Sequence, residues 1–138
     1  MRLLCYLPAA FLAGCLSLPA AAPAHAAELV PFTETHFTEQ AFKAAQMQDD
    51  PILIEIFAPW CPTCAQQKSI IDRLAATPEF RKLVILRVDF DTQKDIVRAM
   101  GAQMQSTLIV FHGSHLTGVM VGETDPAKIK ALLDKSRS

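Results

Sequence analysis

The sequence predicts one α/β domain in which a central mixed sheet is flanked by helices on both faces. Runs of apolar, β-branched residues alternate with segments of helical periodicity, a pattern typical of parallel strands joined by right-handed crossovers. The last two strands are separated only by the short segment His112–His115, so they should add an antiparallel edge. A chain of 138 residues is long enough for a single domain with its own core.

The elements are expected in the order β, α, β, α, β, α, β, β, α. The strands are predicted from short apolar or extended segments, which are 28–32, 52–58, 83–91, 107–111 and 116–123. The helices are predicted from apolar residues at helical spacing, in the segments 37–48, 61–77, 93–101 and 126–136. Thr38 is the expected N-cap of the first helix, Gly101 should follow the third helix at C′, and Asp125-Pro126 should open the last.

The first 26 residues are expected to be a secretory signal peptide, which leaves residues 27–138 as the domain. A positive Arg2 precedes an apolar run that ends in Ala24-His25-Ala26, a typical cleavage site. The alternative is lipidation, because the segment Leu12–Cys15 resembles a bacterial lipobox and would anchor the chain at Cys15. The apolar run before Cys15 is short, so we favour plain secretion. Both routes place the domain in the periplasm.

Charge and cysteine count exclude two classes of protein. With 13 basic and 14 acidic residues, the chain has no electrostatic footprint for nucleic acid. Cys5 and Cys15 lie in the signal peptide, so the secreted chain keeps only Cys61 and Cys64. One pair this close together closes too small a loop to hold a domain together. The pair is therefore expected to have a chemical role and not a structural one.

The two thiols follow a buried strand and open a helix, which suits a redox pair. Backbone N–H groups of Thr63 and Cys64 should point at the Cys61 sulfur, and together with the helix dipole they should lower its pKa. Cys61 is therefore the candidate nucleophile, and Cys64, one turn further in, is the candidate resolving thiol. Pro62 fits the first helical turn, where its missing N–H costs nothing.

Other uses of the pair remain as alternatives. A structural zinc site needs four ligands, and the three histidines of the mature domain form no pair with the cysteines; they are His36, His112 and His115. Two thiolates suit copper(I), so a copper(I)-binding module, or one that matures cytochrome c or copper sites, is the main alternative. A third hypothesis is an adaptor whose cysteines stay in a permanent disulfide.

Glu55 is an acidic residue in the middle of an otherwise apolar strand. A buried carboxylate is expensive, and such a group usually takes a raised pKa. The functional hypothesis is that Glu55 accepts the proton of Cys64 when the mixed disulfide resolves, directly or through water. The structural hypothesis is a carboxylate paired with Arg87 on the neighbouring strand. Both can hold together.

The segment Trp60-Cys61-Pro62-Thr63-Cys64 resembles the W-C-G-P-C motif of the thioredoxin superfamily, and the resemblance covers Leu29 to Ser138. Glu55 stands where that superfamily has a buried aspartate, and Arg87 where it often has a lysine on the next strand. Asp89 and Asp91 match the acidic residues that end this strand. Gly113 matches the glycine of the hairpin turn, and Gly122 the glycine near the end of the last strand.

The resemblance implies a thioredoxin fold and thiol–disulfide exchange without a bound cofactor. It implies protein disulfides as substrates, and by analogy with small exported relatives it favours net reduction with electrons from a membrane thiol carrier. The residues expected to dock the substrate surround the dithiol; they are Trp60, Pro62, Thr63, Ser106 and Thr107.

The sequence departs from the superfamily at Ser106, which stands where the superfamily has a cis-proline. A cis bond before serine would cost about 2.5–4 kcal/mol, so the Gln105–Ser106 bond is expected to be trans. In the superfamily this loop pairs with the substrate backbone and shields the thiols from metals. A serine hydroxyl at this position could also reach Cys61 as a donor.

Overall fold

The computed structural model describes residues 32–138, which form five strands and four α-helices. The strands are β1 (Thr33–His36), β2 (Pro51–Phe57), β3 (Val84–Asp89), β4 (Thr107–His112) and β5 (His115–Val121). The helices are α1 (Glu39–Met47), α2 (Pro62–Ala75), α3 (Lys94–Ala99) and α4 (Pro126–Asp134), with 3₁₀ turns at Pro78–Phe80 and Lys135–Arg137. The predicted signal peptide and the predicted alternative lipobox at Cys15 lie outside the described residues. Within residues 32–138, no helix has the length and apolar composition needed to cross a membrane.

The strands form one mixed sheet in the order β1-β3-β2-β4-β5. β1, β3 and β2 are parallel, whereas β4 runs antiparallel to β2 and β5 antiparallel to β4. This arrangement confirms the predicted fold class, a parallel core with an antiparallel C-terminal hairpin. Gly113 takes a positive φ of 52° in the hairpin turn, a backbone conformation that glycine adopts without strain.

The first strand lies later in the chain than predicted. The prediction placed it at 28–32, of which only Phe32 is described, whereas β1 spans Thr33–His36. All four β1 residues are exposed, so the strand has no apolar signature and is held by its pairing with β3 at the sheet edge. Phe32 packs against the core instead of pairing in the sheet.

The helix boundaries agree with the capping residues that the sequence indicated. Thr38 Oγ1 accepts the backbone N–H of Ala41 at 3.0 Å, as an N-cap does. Asp125 caps α4 by accepting the backbone N–H groups of Ala127 and Lys128. Gly101 has a φ of 69° and follows the C-cap of α3, the C′ position at which a left-handed residue ends a helix.

Apolar side chains on the two faces of the sheet form separate cores. On one face the inward residues of β2, β3 and β4 pack against α2 and α4, through Leu53, Ile85, Leu108, Ile71 and Leu132 among others. On the other face the alternate strand residues pack against α1 and α3. Because side chains alternate along a strand, Glu55 lies on the same face as Leu53, the face that α2 covers.

The sheet order brings distant segments to the carboxyl end of β2. Ile56, near this end, pairs with Thr107 at the start of the antiparallel β4, and Phe57 pairs with Asp89 at the end of β3. The dithiol segment that follows β2 is therefore flanked by the loop before β4 on one side and the loop after β3 on the other.

Candidate active site

Cys61 is the N-cap of α2, which confirms its predicted place at a helix start. Its sulfur accepts the backbone N–H of Cys64 at 3.1 Å, and Pro62 occupies the first turn, where no N–H is needed. The thiol is 5 % exposed and Cys64 is 3 % exposed, although the flanking Pro59 and Trp60 are exposed. Both thiols are free. The pair is thus enclosed beneath an exposed turn.

The surroundings push the pKa values of the two thiols apart. Burial acts to raise the pKa of Cys61, but hydrogen bonds from the Cys64 thiol, the Ser106 hydroxyl and backbone N–H groups outweigh it, so the pKa is lower than usual. Burial raises the pKa of the Cys64 thiol, and its hydrogen bond to Cys61 raises it further. The arrangement therefore raises the thiolate fraction of Cys61 and keeps the proton on Cys64.

Ser106 lies directly against the pair, from a position 45 residues after Cys61. Its Oγ is 3.1 Å from Cys61 Sγ and 3.3 Å from Cys64 Sγ, and the residue is buried. The Gln105–Ser106 bond is trans, as expected, and Ser106 takes a positive φ of 61°. The hydroxyl therefore reaches both sulfurs and not Cys61 alone.

Glu55 is paired with Arg87, as the structural hypothesis predicted. Arg87 Nε donates to Glu55 Oε2 at 2.8 Å, the two residues are direct neighbours on β2 and β3, and Glu55 is 1 % exposed. Burial raises the pKa of the Glu55 carboxyl, and the guanidinium of Arg87 opposes this only in part. The carboxyl is consequently a better proton acceptor than an ordinary glutamate. The role of Glu55 as acceptor of the Cys64 proton stays a prediction.

A cleft of about 220 Å³ joins the thiols to Arg87, the cation of this ion pair. Cys61, Cys64, Lys68 and Arg87 are among its lining residues. Its volume exceeds the share of about 30 Å³ that one water molecule occupies in the liquid. The cleft can therefore hold water between the sulfurs and the cation that contacts Glu55.

The predicted docking residues differ in exposure. Trp60 is 61 % exposed, and its indole Nε1 donates to Asp91 Oδ2 at 2.8 Å, which fixes the ring on the surface. Pro62 is exposed and Thr63 is half-buried. Ser106 and Thr107 are buried. The Ser106 hydroxyl contacts the sulfurs, and the Thr107 hydroxyl donates to the carbonyl of Met104 at 2.8 Å.

Gln67 is a site residue that the sequence reasoning missed. It is fully buried on α2, and its Nε2 donates to the carbonyls of Ser106 at 3.2 Å and Glu123 at 2.9 Å. A signal was present in the sequence, because Gln67 follows Cys64 by three residues and precedes Ile71 by four, the spacing of the buried stripe of a helix. A polar residue in that stripe indicates a specific partner.

The described residues contain no group of three or more histidine, cysteine, aspartate or glutamate side chains that could hold a metal ion. Among the described residues, the two cysteine sulfurs are the soft ligands that a copper(I) site could use, and Ser106 is a polar side chain in contact with both. The copper(I) alternative stays a prediction, which titration of the reduced protein with copper(I) tests.

Comparison with known proteins agrees with this geometry. The family described as Thioredoxin matches residues 33–135. Thioredoxin 1 of Nostoc sp. is 26 % identical over 99 residues, which cover 71 % of this chain and 92 % of that protein. Protein disulfide-isomerase tigA of Aspergillus niger is 33 % identical over 104 residues, but these cover 74 % of this chain and only 27 % of tigA.

Solved structures show the same similarity. Trxlp of Edwardsiella tarda superposes with a TM-score of 0.71 at 33 % identity, covering 73 % of this chain and 98 % of that one. The thioredoxin of Malassezia sympodialis superposes with a TM-score of 0.66 at 25 % identity, covering 83 % and 100 %. With a family match that spans most of the chain, the protein belongs to the thioredoxin family and is a thioredoxin-like thiol–disulfide oxidoreductase whose redox pair is Cys61 and Cys64.

Proposed function

We propose that this protein is exported to the periplasm and reduces disulfides of other proteins there. The proposed disulfide reduction rests on the difference between the two thiols. The Cys61 sulfur accepts a backbone N–H at the start of α2 and has a lowered pKa, whereas the pKa of the neighbouring Cys64 is raised. Export rests on the signal-like residues 1–26, and a membrane thiol carrier is the proposed electron donor. The reducing direction rests on analogy with small exported relatives.

The proposed reaction proceeds in two exchanges. The Cys61 thiolate attacks a partner disulfide, which forms a mixed disulfide and releases one partner sulfur. Cys64 then loses its proton and attacks the Cys61 sulfur, so that the second partner sulfur leaves and the Cys61–Cys64 disulfide forms. Two electrons pass to the partner, whose two sulfurs take up the Cys64 proton and one proton from solvent. The membrane carrier would restore the dithiol.

Glu55 is the proposed acceptor of the Cys64 proton, and the cleft leads from the sulfurs to Arg87, the partner of Glu55. Water in the cleft would carry the proton past Arg87, which lines the cleft and donates to the Glu55 carboxylate. The raised pKa of Glu55 suits this role, because general bases work best when their pKa lies near the working pH.

Docking of the partner is proposed to centre on the exposed turn. The exposed Trp60 ring offers apolar area next to Cys61, and Asp91 holds it in place. Pro62 and Thr63 continue this surface. Ser106 and Thr107 would contribute through their backbone, since their side chains face inward.

The enzymatic proposal is tested by insulin-disulfide reduction with dithiothreitol as electron source. The mature chain should precipitate insulin B chain well before the buffer control, whereas Cys61→Ser/Cys64→Ser should match that control. An equal rate for the two proteins would contradict the proposal. Export is tested separately, by fractionating cells and determining the N-terminus of the secreted chain, which is expected near Ala27.

Glu55→Gln is expected to slow turnover about ten- to a hundredfold, while the melting temperature changes little. The amide keeps a hydrogen-bond partner for Arg87 and removes a charge whose burial is costly, so folding loses little. The resolution step loses its proton acceptor. Stopped-flow rates of mixed-disulfide resolution and thermal melts measure the two effects. A variant that melts far earlier but resolves at the native rate would assign Glu55 a structural role only.

A further inference from the structure

Ser106 places one hydroxyl between the two reacting sulfurs. Its Oγ lies 3.1 Å from Cys61 Sγ and 3.3 Å from Cys64 Sγ, in a site where all three residues are buried. A hydroxyl carries one donor and two acceptor lone pairs. It can therefore donate its proton to the Cys61 thiolate, to which the Cys64 thiol also donates. A hydrogen bond to an ionised sulfur is charge-assisted and therefore stronger than one between neutral groups.

The backbone at Ser106 is held in an uncommon conformation to achieve this. Its φ of 61° lies in the left-handed region, where non-glycine residues are strained and persist only when their surroundings hold them. Two groups hold the Ser106 carbonyl: the backbone N–H of Gly122 at 2.9 Å and the side-chain amide of Gln67 at 3.2 Å. The loop before β4 is thus tied both to the end of β5 and to the helix that bears the cysteines.

Gln67 is poorly suited to its position on stability grounds alone. Both protons of its amide are used, on the carbonyls of Ser106 and Glu123, which fixes the orientation of the amide. Its Oε1 is buried and, within residues 32–138, has no protein group at hydrogen-bond distance. A leucine would fill a similar volume without this penalty. The two donors give the side chain a specific role, because one of them holds the Ser106 carbonyl and the other ties it to Glu123.

We propose that Ser106 is a further catalytic residue of the exchange reaction and that Gln67 is its positioning residue, the hydroxyl stabilising the reduced pair and so raising the reduction potential of the Cys61–Cys64 couple. This role of Ser106 rests on the proposed thiol–disulfide exchange, whose equilibrium the hydroxyl shifts. In the disulfide neither sulfur carries a charge, so the hydroxyl loses its thiolate acceptor. Whatever stabilises the reduced form selectively raises the reduction potential.

The first test compares Ser106→Gly with the native chain. Glycine adopts a positive φ freely, so the variant removes the hydroxyl and leaves the loop conformation unstrained. We expect the equilibrium constant for forming the Cys61–Cys64 disulfide in glutathione buffers to rise about tenfold, a fall of about 30 mV in the reduction potential. Alkylation of Cys61 by iodoacetamide should also shift to higher pH.

A matched control removes another buried hydroxyl. Ser136 is fully buried and donates to the carbonyl of Leu133, far along the chain from the sulfurs. Ser136→Ala should lower the melting temperature but leave both the potential and the alkylation profile at native values. If Ser106→Gly also leaves both values unchanged, the hydroxyl does not act on the sulfurs and the proposal is overturned.

The role of Gln67 is tested in two backgrounds. Gln67→Leu in the native chain should lower the potential in the same direction as Ser106→Gly. Gln67→Leu in the Ser106→Gly chain should leave the potential unchanged, because the group it positions is absent. An equal shift in both backgrounds would show that Gln67 acts independently of Ser106. These equilibrium measurements need no protein substrate. Their outcome is therefore independent of the insulin-reduction assay, which tests the proposed function.

Discussion

Cys61→Ala is expected to abolish disulfide reduction, whereas Cys64→Ala should retain the first exchange and stop after it. Cys61 carries the lowered pKa and accepts the Cys64 N–H at the start of α2, so its loss removes the attacking thiolate. In Cys64→Ala that backbone N–H remains and Cys61 can still attack. The mixed disulfide then persists, because no thiol lies within reach to resolve it. Turnover of both variants should fall to the background rate of the buffer thiol.

Trapping separates the two roles. Reduced Cys64→Ala, mixed with a protein disulfide, should gain the mass of one partner thiol per chain by intact mass spectrometry, and dithiothreitol should reverse the gain. Cys61→Ala/Cys64→Ala is the control and should gain nothing. Adducts on Cys61→Ala in place of Cys64→Ala would reverse the assignment of nucleophile and resolving thiol. The same Cys64→Ala chain, expressed in cells, would capture the physiological substrates.

Arg87→Met is expected to destabilise the protein by about 3–5 kcal/mol at neutral pH, the cost of leaving a buried carboxylate without its partner. Glu55 is 1 % exposed, and Arg87 Nε at 2.8 Å is its close cation. Methionine keeps much of the length of the arginine side chain and some packing against Phe57, over whose ring the guanidinium lies at 3.8 Å. Urea unfolding of the reduced protein at pH 7 measures the loss.

The pH dependence of this loss follows from the raised pKa of Glu55. A carboxyl whose pKa is higher in the folded chain binds more protons there than in the unfolded chain. The free energy of unfolding therefore falls as the pH rises from about 4.3, the ordinary glutamate value, through the folded pKa. Removing Arg87 raises that pKa further, so the destabilisation should be largest at neutral pH and shrink on acidification.

A double variant provides the control for Arg87→Met. Glu55→Gln/Arg87→Met has no buried charge at this pair and should recover most of the lost stability, with little dependence on pH between 5 and 8. If the double variant is as unstable as Arg87→Met, the lost stability would come from packing against Phe57 and not from the unpaired Glu55 carboxylate.

The position of the dithiol followed from local sequence, and so did most of the elements. The apolar run 52–58 and the helical spacing after Cys61 placed the strand and helix whose junction carries the thiols. Thr38 and Asp125 marked helix starts because a capping side chain bonds within three residues of itself. The first strand was misplaced because β1 is entirely exposed and takes its place by pairing with β3, a contact that local patterns do not encode.

By itself the sequence determined that a C-x-x-C pair opens a helix after a buried strand, and hence the identity of the nucleophile and the resolving thiol as predictions. Those inferences depend on interactions within a few residues of each other. The resemblance had placed Ser106 near Cys61, but only the folded chain shows its hydroxyl against both sulfurs. Because β4 runs antiparallel to β2, the chain returns to the cysteines 45 residues later and sets the Ser106 hydroxyl against both. Gln67 and Gly122 hold it there through contacts between distant segments, and only the folded chain brings these together.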